Sequence, residues 1–126
     1  MTRNAEYFEQ VAVVEYLKTA YPNVLFSATC GGMRTSIGTA KKMKISGYKK
    51  GLPDLMIFEP RGNYHGLFIE MKAPFVKGVS QKGKTSLEQL EWQARLNERG
   101  YMAVICYGFE EAKKAIDGYL KSQLLH

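Results

Sequence analysis

Histidine is scarce in this chain. His65 and His126 are the only two among 126 residues. A zinc site, or a nuclease of the His-metal type, needs more imidazole than that. Cysteine is equally sparse: Cys30 and Cys106 form no CxxC pair, and a reducing compartment keeps both as thiols. Aspartate occurs twice, at Asp54 and Asp117, which disfavours a site of the RNase H type, built from several acids, mostly aspartates. The pattern G-x-x-x-x-G-K-[ST] occurs once, at Gly78–Thr85; a nucleotide cofactor is nonetheless not expected. No apolar run approaches the roughly 18 residues that span a bilayer. The start, Met1 to Glu6, lacks the apolar stretch of a signal peptide. These absences point to a cytoplasmic protein with no membrane partner.

What is present is a globular composition, 45% hydrophobic and 24% charged, in a length that suits one domain over residues 1–126. The net charge is +6, and it is unevenly placed. From Arg34 to Lys84 there are eleven basic residues against three acids, Asp54, Glu59 and Glu70; that segment carries +8 and the remainder −2. Such a concentration predicts a polyanion partner, most simply nucleic acid. A solvated lysine-rich loop gives the same count.

The three acids of that segment include two in a telling arrangement. Gly51-Leu52-Pro53-Asp54 precedes the apolar run Leu55–Phe58, and Leu67-Phe68-Ile69-Glu70-Met71-Lys72 follows after a turn at Pro60–Asn63. On a strand, side chains alternate between faces. Phe68, Glu70 and Lys72 share one face; Leu67, Ile69 and Met71 share the other and read as core. Two carboxylates suit a hard divalent cation. A lysine beside them can orient a water or offset charge on a phosphorane. The competing reading is a surface salt bridge on an edge strand.

The remaining elements follow from pattern. Residues 4–20 read as a helix, with Phe8, Val11, Ala12, Val14 and Leu17 as its apolar stripe. Val24–Ala28 reads as a strand, and 29–50 as a long Gly- and Lys-rich connection. Residues 73–85 form a second basic loop. Ser86 opens a helix that stops at Gly100, Tyr101–Tyr107 is a strand, and Phe109–Lys121 is a last helix with Ala112, Ile116 and Leu120 on one face. The order α-β-β-β-α-β-α predicts an α/β fold with a mixed sheet, its last strand parallel to an earlier one.

Two polar positions carry a choice. Glu6 and Gln10 share a face of the first helix and either present a further acid to the site or form a solvated first turn. Glu9 and Glu15 are weaker candidates. Gln89 joins Trp92 and Leu96 on one stripe; it either reaches the lysine or a phosphate, or closes the S-x-x-Q capping box of Ser86–Gln89.

Taken in order, Glu6 with Gln10, Lys50–Asp54, Gly66–Lys72, Ser86–Gln89 and Gly100-Tyr101 resemble the virus-type replication-repair nuclease (VRR-NUC) domains of the PD-(D/E)xK superfamily. The resemblance covers nearly the whole chain. It implies a restriction-endonuclease-like core, a four-stranded mixed sheet flanked by helices. It implies a Mg²⁺- or Mn²⁺-dependent nuclease in which Asp54, Glu70 and the Met71 carbonyl hold the metal. Lys72 is then the catalytic lysine, Glu6 the helix-borne acid and Gln89 the glutamine of the second family helix. Short members of the family look like phage proteins, often dimeric, some acting on branched DNA as Holliday-junction resolvases do.

The resulting expectation is a metal-dependent DNA endonuclease selective for branched structures. Lys41, Lys42, Lys44, Lys49, Lys50, Lys77, Lys82 and Lys84 would hold the DNA backbone. A homodimer is expected, with Tyr7, Tyr16, Tyr101, Tyr107 and Tyr119 as candidate interface residues. The alternatives are a non-catalytic nucleic-acid-binding module and an adaptor of a replication complex that retains the fold.

Overall fold

A computed structural model describes residues 2–29, 36–78 and 83–122. Its elements are α1 (Thr2–Ala20), β1 (Phe26–Ala28), α2 (Ile37–Ile45), β2 (Leu55–Ile57), β3 (Leu67–Lys72), α3 (Leu87–Glu98), β4 (Met102–Tyr107) and α4 (Phe109–Leu120). The strands form one sheet in the order β1-β2-β3-β4, with β1-β2 and β2-β3 antiparallel and β3-β4 parallel. This is the expected α/β plan with a mixed sheet. The expected hairpin of β2 and β3 is present, turned by a short bridge between Arg61 and Tyr64.

The alternation of β3 divides the core in two. Leu67, Ile69 and Met71 pack with Val13 and Leu17 of α1 and with Ala112, Ile116, Tyr119 and Leu120 of α4. Phe68 packs on the opposite face with Leu96 of α3 and Ala103 of β4, flanked by Met56, Trp92 and Tyr101. The sheet is therefore covered on both faces, and β3 lies buried along its whole length. An all-buried strand normally carries apolar residues throughout. Glu70 and Lys72 break that pattern.

Several helix ends have a visible cause. Ser86 caps α3 by accepting from the Gln89 amide, completing the capping box. The chain leaves α3 through Gly100 at φ +89, a backbone region closed to most side chains. The first turn of α4 is capped from another helix: Glu9 of α1 accepts from the Phe109 amide at 2.6 Å. Glu9 is thus a structural acid, and Glu15 pairs with Lys18 at the surface. Asp117 ties α1 to α4, accepting from Tyr16 at 2.5 Å and from Tyr21 at 2.6 Å. Those two hydroxyls hold the Asp117 carboxyl down at about 2.

Three expectations are corrected. The connection 29–50 contains a helix, α2, capped by the Ser36 hydroxyl. It buries no residue, so no hydrophobic period announces it. In α1 the inward line is Glu6, Gln10, Val13 and Leu17, spaced four, three and four apart, while Phe8 is 62% exposed and Val11 also faces out. The contiguous run Val11–Val14 leaves the face undetermined by periodicity alone. Among the candidate interface tyrosines, Tyr119 is buried and donates to the Glu59 carbonyl at 2.6 Å. Tyr16 is tied to Asp117 and Tyr101 packs edge-on to Phe68. Tyr107 is half-buried, which leaves Tyr7 as the one of the five that is largely exposed.

Candidate active site

The pairing of β2 with β3 assembles the site. Leu55 stands opposite Ile69; one step outward along the antiparallel register, Asp54 comes opposite Glu70. Asp54 Oδ2 accepts from the Met71 amide at 2.7 Å. From the β1 side, Thr29 donates its amide to the Asp54 carbonyl at 2.8 Å and its hydroxyl to the Pro53 carbonyl at 3.0 Å. The segment that carries Asp54 is therefore fixed at both ends of the residue.

Backbone alternation directs a third oxygen towards the edge of β3 that faces β2. The Gly66 and Lys72 carbonyls accept from Met102 and Gly108, on the β4 side. Residue 71, one step out of phase with both, turns its N–H and C=O towards β2. The Met71 carbonyl thus leaves β3 on the edge where Asp54 stands.

Glu70 and Lys72 are only 4% and 6% exposed, on a strand with neighbours on both sides. The surface salt bridge is excluded by that burial. Their charges meet through Gln89. Its Oε1 accepts from Lys72 Nζ at 3.0 Å and from the Ser86 amide at 3.0 Å, and its Nε2 donates to Glu70 Oε2 at 2.9 Å. Lys72 Nζ lies 3.7 Å from the same Glu70 oxygen. The two readings of Gln89 are thus one: a single amide caps the helix and bridges the buried pair.

The electrostatics follow from crowding. Burial, then the Asp54 charge, pushes the Glu70 carboxyl up to about 8, and Lys72 offsets only part of this. Burial also raises Asp54, against the Met71 amide, a hydrogen bond to Glu70 and Lys72, all of which favour its ionised form. The pair therefore shares a proton that an added positive charge would displace. Glu6 is raised by burial, with Lys72 lowering it and Asp54 raising it, so α1 brings this acid within the field of both.

Glu6, Asp54, Glu70, Lys72 and Gln89 line one pocket of about 180 Å³, together with Tyr48, Lys50, Gly51, Leu52 and Ser86. All five expected catalytic side chains are thus brought together from α1, the β2 entry, β3 and α3. Among the described residues no three His, Cys, Asp or Glu side chains converge as a ligand set. Two carboxylates and a backbone carbonyl, all hard oxygen donors, fit Mg²⁺ or Mn²⁺, which tolerate few protein ligands and keep waters.

This arrangement has relatives. The family model of the VRR-NUC domain matches residues 4–110. The chain belongs to the VRR-NUC family. This is a family of nuclease domains. A solved structure described as a VRR_NUC domain protein is similar at 28% identity and a TM-score of 0.75, over 97% of this chain and 93% of that one. A second, described as a VRR_NUC domain, has 21% identity and a TM-score of 0.51, over 88% of this chain and 97% of its own; it bears on the fold alone. No curated protein matches the sequence.

The expected DNA-holding lysines of this VRR-NUC domain are exposed where they are described, and one of them reaches the pocket. Lys50 lines it. Lys41, Lys42 and Lys44 are exposed on α2, and Lys49, Lys77 and Lys84 are exposed on loops. Lys82 lies outside the described residues. Tyr48, Thr29 and Trp92 were not singled out for the site by spacing. Each acts through a partner distant in sequence or through the cavity wall, which leaves no local signature.

Proposed function

We propose that this VRR-NUC domain is a divalent-metal-dependent DNA endonuclease that selects branched DNA by structure. The observation that carries the reading is the buried Glu70–Gln89–Lys72 bridge in a central strand, opening on the pocket shared with Asp54 and Glu6. A buried ionic group of this kind contributes little to stability compared with apolar packing, so its presence needs a chemical reason.

Asp54, Glu70 and the Met71 carbonyl would hold Mg²⁺ or Mn²⁺. The cation supplies Lewis-acid polarisation of the phosphate and a more acidic water. Lys72, fixed by Gln89, either orients the attacking water or offsets charge on the phosphorane. Glu6 lines the pocket, with its carboxyl raised by burial, and an acid so placed suits proton acceptance. Lysines on α2 and the two loops would grip the phosphate backbone, which positions DNA without reading sequence. Helix α2 lies against no other helix or strand of the described residues. That leaves its lysines accessible to a duplex lying across the pocket.

Resolving both strands of a branch calls for two sites in matched orientation, which a two-fold dimer supplies. Tyr7, Phe8 and Val11, exposed on α1, offer apolar surface for it. The expected setting is the cytoplasm. The test is to incubate the protein with labelled linear, nicked, flap and four-way-junction DNA in Mg²⁺, Mn²⁺ or EDTA, with its mass measured by sedimentation. Paired cuts in junctions, dependent on metal, with twice the 14.3 kDa chain mass, are expected. Cutting in EDTA contradicts the mechanism. Tight DNA binding without cleavage identifies a binding module instead.

A further inference from the structure

Asp54 belongs to a segment that is held by more than the sheet. Trp92, the chain's single tryptophan, donates its indole N–H to the Lys50 carbonyl at 3.1 Å. One residue on, Gly51 adopts φ +96 and lies against the backbone of Glu88. A Cβ on Gly51 would sit 2.6 Å from the Glu88 carbonyl carbon, so only glycine permits this approach. Lys50 and Gly51 therefore dock on the first turns of α3, and Leu52, Pro53 and Asp54 run from that joint into β2.

The same helix holds the other half of the site. Gln89 and Trp92 are three residues apart, on one face of α3. Gln89 fixes Glu70 and Lys72; Trp92 fixes the approach to Asp54. The Trp92 ring is itself seated against Phe68, Leu96 and Ala103, the apolar cluster beneath β3. The two carboxylates come from different strands, but both are indexed to one rigid element. A cation shared between them is sensitive to their separation, because ligand geometry within a few tenths of an ångström decides its affinity.

We infer that Trp92 is a positioning residue: its bond to the Lys50 carbonyl sets where the Asp54 carboxylate stands relative to Glu70. This rests on the reading of the acids as metal ligands. The role differs from that of a brace, since a brace lowers stability and leaves metal affinity alone.

The test is Trp92→Phe, which keeps a ring in the apolar seat and removes the N–H. Mn²⁺ binding is measured by calorimetry without DNA, thermal unfolding in EDTA, and kcat and KM with junction DNA. Outer partners of metal ligands are typically worth 10- to 100-fold in affinity or activity. The expected result is about a tenfold weaker Kd for Mn²⁺, a fall in kcat at fixed metal, an unchanged KM for DNA and an unfolding temperature in EDTA within a few degrees of the parent. A Trp92→Phe protein whose Kd for Mn²⁺ equals that of a metal-binding parent overturns the inference and leaves the metal reading standing. A parent that binds no Mn²⁺ removes the metal reading, and the inference with it. Should Trp92→Phe fail to fold, the parent supplies the answer. Its sole indole should shift emission as Mg²⁺ saturates the protein, and Asp54→Asn should abolish the shift. Emission that stays constant while calorimetry shows Mg²⁺ bound overturns the inference.

Discussion

Gln89 accepts a hydrogen bond from Lys72 at 3.0 Å while its other amide atom donates to Glu70 at 2.9 Å. The oxygen also accepts from the Ser86 amide, which uses both its lone pairs. The oxygen is therefore saturated, and the amide has one orientation. A lysine on a flexible stem is reduced by it to a charge fixed beside the acid pair.

Lys72→Ala should bind Mn²⁺ and DNA nearly as the parent does and cut them about 10²–10³-fold more slowly, the loss seen when a transition-state donor is removed. Asp54→Ala and Glu70→Ala should lose Mn²⁺ binding as well as cutting. Calorimetry and a cleavage time course on the same preparations separate these outcomes. Undiminished cutting by Lys72→Ala would remove the lysine from the mechanism.

Gln89 separates its two duties by substitution. Gln89→Ala should cost about 1 kcal/mol of stability through the lost bond to the Ser86 amide, and much of kcat. Gln89→Glu restores an S-x-x-E capping box but brings a third acid against Glu70. Its unfolding temperature should recover towards that of the parent while its kcat stays low. A parallel recovery of both would mean that Gln89 acts on catalysis only by holding the helix.

The raised Glu70 carboxyl makes the metal-free protein sensitive to pH. The folded state retains a proton that the unfolded chain, with an ordinary glutamate near 4.5, has released. The native state binds more protons across that interval, so stability falls as pH rises from about 4.5 to about 8. In EDTA the unfolding temperature should decline through this window, and Glu70→Gln should flatten the decline and raise the value at pH 8. Mn²⁺ should reverse the decline in the parent alone. A parent whose stability is constant from pH 5 to pH 8 in EDTA would show the acids to be apart.

The sequence displayed strand β3 well and its surroundings poorly, for physical reasons. Leu67–Lys72 reads directly because alternation, charge and a bounding turn coincide in six residues. Gly100 and the Ser86 box mark the ends of α3 by local chemistry. The inward face of α1 was lost because Val11–Val14 are apolar on every side, although Glu6, Gln10, Val13 and Leu17 in fact form its line. Helix α2 was lost because nothing in it is buried. Bonds such as Trp92 to Lys50, Glu9 to Phe109 and Tyr16 to Asp117 join positions far apart, and no local spacing encodes them.

Asp117 should govern the acid limb. Its carboxyl is held down at about 2, first by the Tyr16 and then by the Tyr21 hydroxyl. A depressed carboxyl contributes stability that is complete above its unfolded value near 4 and is lost as pH falls towards 2. Asp117→Asn, which keeps an accepting oxygen but loses the charge, should be less stable by about 1 kcal/mol at neutral pH, roughly the difference between charged and neutral hydrogen bonds, and should show a shallower fall between pH 4 and pH 2. Unfolding scans across that window check both. Identical acid limbs in the two proteins would place the α1–α4 tie elsewhere.

Helix α2 offers the cleanest separation of grip from chemistry. Its three lysines stand in solvent and no acid occurs between Ser36 and Pro53. Each phosphate neutralised contributes about 0.9 to the slope of log affinity against log salt on duplex DNA. Replacing Lys41, Lys42 and Lys44 together with Ala should therefore reduce that slope by up to about 2.7, if all three meet phosphates. It should weaken binding alike on unrelated sequences, because backbone contacts carry no sequence information. The Mn²⁺ affinity proposed for Asp54 and Glu70, beyond the Lys50–Gly51 joint, should not move. Anisotropy titrations from about 50 to 200 mM salt, beside calorimetry, read the two effects separately. A slope unchanged by the triple substitution would place α2 off the DNA. A change in Mn²⁺ affinity would show that the helix bears on the acids, which its lack of packing against the sheet argues against.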